Sequence, residues 1–327
     1  MIFIDRQGEA AAALEGALSG TDYVTRLEHE LFSATGKRVV AVSTFDGGVH
    51  TALHVCGVKQ GDYVFAPTFT FYSYLAPVTN MGAKLVFLDC DPTTRCVSPL
   101  ALETALLWAN LQNKLPSAVI IDNAFGSYAD YDVLMPLCKA WNVPAIELCG
   151  SSCVTGAGGN GDYGVIALGA EGFLPTVGAV MCGDDYQKAR QFARYEYTDG
   201  ENHDYRLNNF SAALACAHFA VAQKLRERKK ANLAALLAAT DCVAPPVKND
   251  AADYALCKTS NAKAIAAAGF NVLHPPPAHE LNRYSGCHFF EHEQGYSVAA
   301  SLKEYVLIDM DFSPLKRYKL ISLLKEN

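Results

Sequence analysis

Four spacings in this chain bring together residue types that do chemistry. His288-Phe-Phe-Glu291-His292 has the HxxEH order, which on a helix sets two imidazoles on one face to hold zinc with the carboxylate as base. Gly286 precedes it and Gln294-Gly295 follows at once, which leaves little room for a helix, so a polar surface segment is expected. Gly156-Ala-Gly158-Gly159-Asn160-Gly161 has the GxGxxG order of a dinucleotide loop. That fingerprint needs a helix after it, whereas the following DYGVIAL reads as a strand, so an ordinary loop is expected. His50 and His54 are one helical turn apart, the spacing of a metal pair. Their neighbours Ala52, Leu53 and Val55 are apolar and no third ligand is apparent, which favours core or helix-face histidines. Cys149 and Cys153 offer thiols, but residues 141–187 contain no His, Lys or Arg to lower a thiol pKa, and packing cysteines are expected.

These residues must be positioned by a recurring pattern of short apolar runs and amphipathic stretches. The runs are VVAVST from Val39, YVFAP from Tyr63, KLVFLDCD from Lys84, SAVIIDNA from Ser117 and VPAIELCG from Val143. Between them lie GGVHTALHVCG, SYLAPVTNMG, SPLALETALLWAN and DVLMPLCKAWN, all with helical spacing. Near-continuous apolar strands separated by helices predict an α/β fold, a mostly parallel sheet covered on both faces. GVIALGA from Gly164 and GAVMCG from Gly178 follow with no helix between them, which predicts an antiparallel member. A long helix is predicted from Phe210 to about Ala239, then a smaller α+β lobe from Thr240 onward, reached through the rigid Pro275-Pro276-Pro277 connector.

Composition narrows the class. Half of the 327 residues are hydrophobic and 19% are charged, which fits a packed globular chain rather than a disordered one. The net charge is -7, and the basic run Lys224 to Lys230 sits in the long helical pattern as a solvated face, so nucleic acid is not an expected partner. No apolar run is long enough to span a bilayer, and the first residues lack the basic-then-apolar order of a secretion signal. A soluble, cytoplasmic protein without a membrane role is expected. The 11 cysteines fall mainly inside apolar patterns and show no CxxC spacing, which suggests buried free thiols rather than disulfides or zinc.

The segment VSTFDGGVHTALHVCGVKQGDYVFAPTFTFYSYLAPVTNMGAKLVFLDCDP, Val42 to Pro92, resembles the DegT/DnrJ/StrS-type nucleotide-sugar aminotransferases of the fold-type I pyridoxal-phosphate superfamily. The likeness continues through PAIELCGSS, GDYGVIALGAEGFLPTVGAVMCGDD, DYRLNNFSAALACAHF, GFNVLHPPPAHELNRY and VLIDMDFSPL, nearly the whole chain. It implies a large domain over residues 1–230 with a seven-stranded, mostly parallel sheet. It also implies a smaller domain over residues 231–327 and a homodimer with its sites at the interface. In working members a lysine forms a Schiff base with pyridoxal phosphate, an aspartate pairs with the pyridinium nitrogen, and a Gly-Thr at a helix N-terminus cradles the phosphate.

Carried onto this chain, the stacking aromatic falls on Phe71 and is kept. The Gly-Thr pair falls on Phe45 and Asp46, the pyridinium aspartate on Leu148, and the polar residue three further on Ser151. The phosphate serine falls on Ala167, the lysine on Gly172, and the asparagine that reaches the neighbouring subunit's phosphate on Asp204. Tyr205 and Arg206, which follow, and His274 are candidate substrate contacts. No lysine or histidine lies between Lys139 and Lys188, so sliding the alignment restores neither a Schiff base nor the histidine some relatives use. The departures imply a catalytically degenerate homologue with no cofactor, pyridoxal or pyridoxamine phosphate (PLP or PMP) entering only if the family role survives.

Three readings follow. One is a binding or partner subunit linked to nucleotide-sugar and surface-polysaccharide biosynthesis, as a homodimer or a heteromer with an active aminotransferase. Another is cofactor-independent chemistry on a nucleotide sugar or small polar substrate, using Asp46, Cys149, Ser151, Glu171 and His274, with Asp46 and Glu171 as acid and base. The last is a noncovalently held cofactor, whose phosphate would face Asp46.

Overall fold

A computed structural model describes residues 6–150, 157–168, 177–195, 203–244, 252–274, 277–284, 288–289 and 296–326. Ser151, Cys153, Gly156, Glu171, Gly172, Pro275, Pro276, Glu291 and His292 lie outside the described residues. The chain begins with α1 (Arg6–Leu18) and α2 (Tyr23–Thr35), then β1 (Val39–Val42), α3 (Phe45–Val55), β2 (Tyr63–Pro67), α4 (Ala76–Asn80) and β3 (Lys84–Leu88). It continues with α5 (Pro99–Leu111), β4 (Ala118–Asp122), α6 (Tyr131–Ala140), β5 (Ala145–Cys149), β6 (Tyr163–Leu168), β7 (Val177–Met181), α7 (Tyr186–Ala193) and the long α8 (Asn209–Leu237). The last elements are β8 (Tyr254–Cys257), α9 (Ala262–Ala267), β9 (Val272–Leu273), β10 (His288–Phe289), α10 (Ser297–Leu302), β11 (Val306–Asp309) and α11 (Arg317–Lys325).

Among the described residues the main sheet has eight strands in the order β1-β7-β6-β5-β4-β2-β3-β10. β7 runs antiparallel to both β6 and β1, and the other pairings are parallel. The antiparallel member is therefore where the missing helix predicted it. The eighth strand was not expected: β10 adds to the outer edge of β3, with His288 opposite Val86. His288 thus starts a strand, which excludes the helical geometry an HxxEH zinc site needs.

Alternation along each strand sends side chains to two helical layers. One face, built from residues such as Ile120, Ile146, Leu148, Val165 and Val180, packs under α3. The opposite face carries two cores, one under α1, α2 and α8 and one under α5 and α6. α3 comes close because Gly48 has no Cβ, which would meet Val165 at 2.8 Å. Thr44 starts α3 as a helix cap, its Oγ1 accepting from the Gly47 N–H at 3.0 Å.

The C-terminal part forms a three-stranded antiparallel sheet, β8-β11-β9, with its own core. Leu233 and Leu236 from the last turns of α8 belong to that core. This changes the reading of the basic run. Lys224 and Lys230 are exposed, but Arg228 pairs with Asp311, and Lys229 Nζ lies 2.7 Å from Asp253 Oδ1. α8 is long enough to carry these two cations to the ends of β11 and β8, where aspartates meet them. Burial alone would lower the Lys229 pKa, but Asp253, Asp309 and Asp311 overcome it and hold the ammonium charged. Asp253→Ala is therefore expected to strand a buried cation and cost about 3–5 kcal/mol, measurable as a lower urea midpoint with an unchanged slope.

Candidate functional site

The carboxyl ends of parallel strands are where α/β sheets bind ligands. Here β2, β4 and β5 end at Pro67, Asp122 and Cys149. Leu148 is fully buried on the α3 face, in one core with Phe45 and Ala167. Phe45 opens α3 and its ring lies 4.4 Å from that of Tyr74, which in turn lies 5.2 Å from Phe71. Phe71 is half-buried and also packs on Phe125 at 4.5 Å and Tyr254 at 6.4 Å. So Phe45, Phe71, Leu148 and Ala167 lie towards one end of the sheet.

Tyr74 was not singled out in the sequence, because it sits in an amphipathic stretch as an ordinary aromatic. In the structure it fills the centre of this group. A Cβ added to Gly150 would coincide with the Tyr74 ring and hydroxyl, so the phenol rests directly on the backbone two residues beyond Leu148. Gly150→Ala is expected to push the ring out and cost about 1–3 kcal/mol. Thermal melts of Gly150→Ala, Tyr74→Ala and the double variant check it: coupled, non-additive losses are expected.

Asp122 was also missed, since it reads as the polar end of a strand. It stands opposite Leu148 in the β4–β5 register and shares the face of Ala118 and Ile120. Thr70 Oγ1 donates to its Oδ2 at 2.5 Å, while its buried Oδ1 has no hydrogen-bond partner among the described residues. Burial pushes its pKa up to about 7, against the opposing pull of Thr70.

The remaining expected residues do not converge here. Cys149 points to the opposite face of the sheet, into the core with α2 and α8, and burial drives its thiol pKa far up. His274 is exposed just beyond β9. Asp46 stands exposed on the rim, where partial burial raises its carboxyl pKa and Arg283 opposes the rise. Strand alternation therefore turns Cys149 away from the sheet face under α3, where Asp46 sits. Arg206 is held by Asp204 through two bonds, Nε to Oδ1 at 2.8 Å and Nη2 to Oδ2 at 2.7 Å. This pairing holds the Asp204 carboxyl down at about 2.

His50 and His54 are joined by His203, whose ring lies 4.7 Å from His50, and His50 Nδ1 is 2.7 Å from the Tyr205 hydroxyl. Burial, then His203 and His54, lower the His50 pKa to about 4, so the group stays neutral. Among the described residues no His, Cys, Asp or Glu group could hold a metal. The glycine loop is likewise internal in purpose: Glu147 accepts from Asn160 N at 2.7 Å and Gly161 N at 3.3 Å. A protein carboxylate takes the amides that a pyrophosphate would need, and a strand follows.

A mostly parallel sheet between two helical layers, with β7 reversed and a small antiparallel sheet at the C-terminus, defines a fold-type I pyridoxal-phosphate aminotransferase fold. Residues 5–170 match the DegT/DnrJ/EryC1/StrS aminotransferase family, and the chain belongs to it. It is 32% identical over 224 residues to EpsN of Bacillus subtilis (strain 168), covering 63% of this chain and 58% of that protein. It is 26% identical over 207 residues to the UDP-2-acetamido-2-deoxy-3-oxo-D-glucuronate aminotransferase of Pseudomonas aeruginosa, covering 58% and 56%. The matches thus span about half the length of these relatives, and for others such as the Streptomyces griseus L-glutamine:scyllo-inosose aminotransferase only 32%. Among solved structures, a DegT DnrJ EryC1 StrS aminotransferase from Brucella abortus superposes with a TM-score of 0.85 at 21% identity, over 98% of this chain and 95% of the other. S. venezuelae DesV gives 0.82 at 19%, over 98% and 94%.

The residues present differ in chemistry from those that hold the family's cofactor. Leu148 offers hydrocarbon at the position where the family's pyridinium aspartate aligns, while the buried carboxyl of Asp122 stands opposite it in the β4–β5 register. The Gly47 N–H at the α3 terminus is already taken by Thr44, and Asp46 in the same turn would repel a phosphate dianion. Tyr74 fills the space between Phe71, Phe45 and Gly150. Among the described residues no helix is long and apolar enough to cross a membrane.

Proposed function

We propose that this chain is a family member unable to transaminate, serving as a binding or partner subunit in nucleotide-sugar and surface-polysaccharide biosynthesis. The observation that carries the reading is the occupied sheet end: Tyr74 on Gly150, beside buried Leu148, where a stacked cofactor ring would need open space. The sequence adds that residues 140–187 hold no lysine. The pathway comes from the relatives, one of which acts on a UDP-linked keto sugar by its name. A family dimer places sites at the subunit interface, so a chain that has lost its own site still offers the partner a docking face, as a homodimer or with an active aminotransferase.

Co-expression with an active aminotransferase of the same family tests the role. The expected result is a co-purified heteromer whose partner turns over UDP-linked keto sugar at a changed rate, while this chain alone gives no turnover. Turnover by the purified chain alone, or a homodimer indifferent to that partner, contradicts the proposal.

A further inference from the structure

We infer that the outward face of α5 is a docking surface, and that its occupant is α5 of a second copy of this chain, running antiparallel. α5 lies over the sheet face opposite α3, and its inner side is already packed: Ala101, Leu102, Ala105, Leu106 and Ala109 are buried in the core under α5 and α6. Its outer side is apolar as well. Leu100, Leu107 and Leu111 are 66%, 50% and 79% exposed, with the half-buried Thr104 between the first two. A single exposed leucine is ordinary on a folded protein, but these form a row. From Leu100 the row steps to Thr104, Leu107 and Leu111, alternating four and three residues, which is the spacing of a seam that meets a second helix. Thr104 leaves its methyl to the row, because its hydroxyl donates back to the Leu100 carbonyl at 2.7 Å.

The charges select the occupant and its direction. Glu103 is the one charged residue in α5, and Lys114 follows just beyond its end. The turn that closes the helix fixes Lys114 there. Asn113 takes a left-handed φ of 53°, its N–H donates to the Asn110 carbonyl at 3.0 Å, and the Lys114 N–H donates to the Ala109 carbonyl at 2.8 Å. Lys114 is exposed, with its ammonium 5.9 Å from the centre of the Tyr63 ring. Glu103 and Lys114 stand about 16 Å apart along the axis, too far to pair with each other. A two-fold axis through the seam resolves this. Antiparallel pairing sets Leu107 against Leu111 of the second copy, and the same register brings Glu103 beside Lys114 of the second copy, twice over by symmetry. A parallel pair would set Glu103 against Glu103 and Lys114 against Lys114, and like charges would repel. A seam of this length buries less than a standard interface, so the pairing is expected to be reversible, with a dissociation constant on the order of micromolar. The face lies on the helical layer away from α3, so it does not depend on what the far end of the sheet holds.

Sedimentation equilibrium of the full-length chain between about 1 and 200 μM tests it. The proteins compared are the wild type, Leu107→Lys combined with Leu111→Lys, Glu103→Lys, Lys114→Glu, and the charge swap that combines the last two. All four positions are exposed, and a cooperative melt confirms that each variant folds. At the top of the range the wild type is expected to have at least twice the mass of the leucine variant. Each single charge change is expected to raise the dissociation constant at least fivefold, because the two-fold axis applies it twice, and the swap is expected to restore it to within twofold of the wild type. Equal masses for the wild type and the leucine variant overturn the proposal, since the face would then belong to a different chain. Charge variants that match the wild type, or a swap that restores nothing, overturn the antiparallel pairing. The comparison reads α5 alone, on this chain alone. Its failure is therefore distinct from failure of the partner-subunit reading, which turns on a co-expressed aminotransferase.

Discussion

Asp122→Asn is expected to change sign with pH: destabilising below about pH 5 and stabilising at pH 8. The Asp122 carboxyl is raised in the folded chain from 3.8 to about 7, with burial as the main cause. Below 3.8 both folded and unfolded forms hold the proton and the residue adds nothing to the pH dependence. Between 3.8 and about 7 the unfolded chain has released it while the folded chain keeps it, so stability falls as pH rises. Above about 7 the full loss is present, on the order of 4 kcal/mol. Asparagine removes this titration and keeps an acceptor for Thr70. Its own amide N–H groups find no acceptor, at a cost of about 1–3 kcal/mol. The net is a loss at low pH and a gain of about 1–3 kcal/mol at pH 8. Urea unfolding of both proteins at pH 4.5, 6, 7 and 8 checks it, because the difference between them cancels the other titrating groups. Parallel curves would mean that Asp122 is ionised and satisfied in the fold.

Glu147→Ala is expected to be among the most damaging single changes in the large sheet. Glu147 is fully buried, and its Oε1 accepts from Asn123 Nδ2 and Asn160 Nδ2, both at 2.9 Å, and from the Cys149 thiol at 3.3 Å. Its Oε2 takes the Asn160 and Gly161 amides. Removing the carboxylate strands several donors at once and leaves a void between β5 and the glycine loop. A loss of about 4–5 kcal/mol follows, enough to consume much of the stability of an ordinary domain. Glu147→Gln, which keeps one acceptor and the volume, is expected to lose less. Equilibrium unfolding by circular dichroism separates the two, and equal mild losses would show that the loop does not depend on this residue.

The strands were legible because each buried one is a run of apolar residues, as in AVIID and AIELC, and the reversal of β7 was legible because no helix fits between GVIALGA and GAVMCG. Phe45 at the start of α3 and Leu148 near the end of β5 were legible because each lies directly beside a strand that the apolar runs mark. The central contents of the site were not. Tyr74 gives no sign in the sequence that its ring folds onto Gly150, since the two are distant in sequence and meet only when β5 and the turn after β2 are assembled. Asp122 looks like a strand end, and the register with Leu148 and the lack of a partner for Oδ1 among the described residues mark it. Arg228 and Asp311 are 83 residues apart, so a helical pattern read alone assigns the cation to solvent. The edge strand β10 was hidden because two residues carry no periodicity.

The most direct measurement on the central claim is the absorption spectrum of the purified chain after incubation with excess pyridoxal phosphate and desalting, before and after borohydride. A protein with no band between the near-ultraviolet and the visible, and no borohydride-fixed label on any peptide, is the result predicted by Leu148, Tyr74 and the lysine-free segment 140–187. A retained band reduced onto a lysine peptide would contradict the account, because it would require Tyr74 to leave and a lysine from elsewhere in the chain to reach the cofactor.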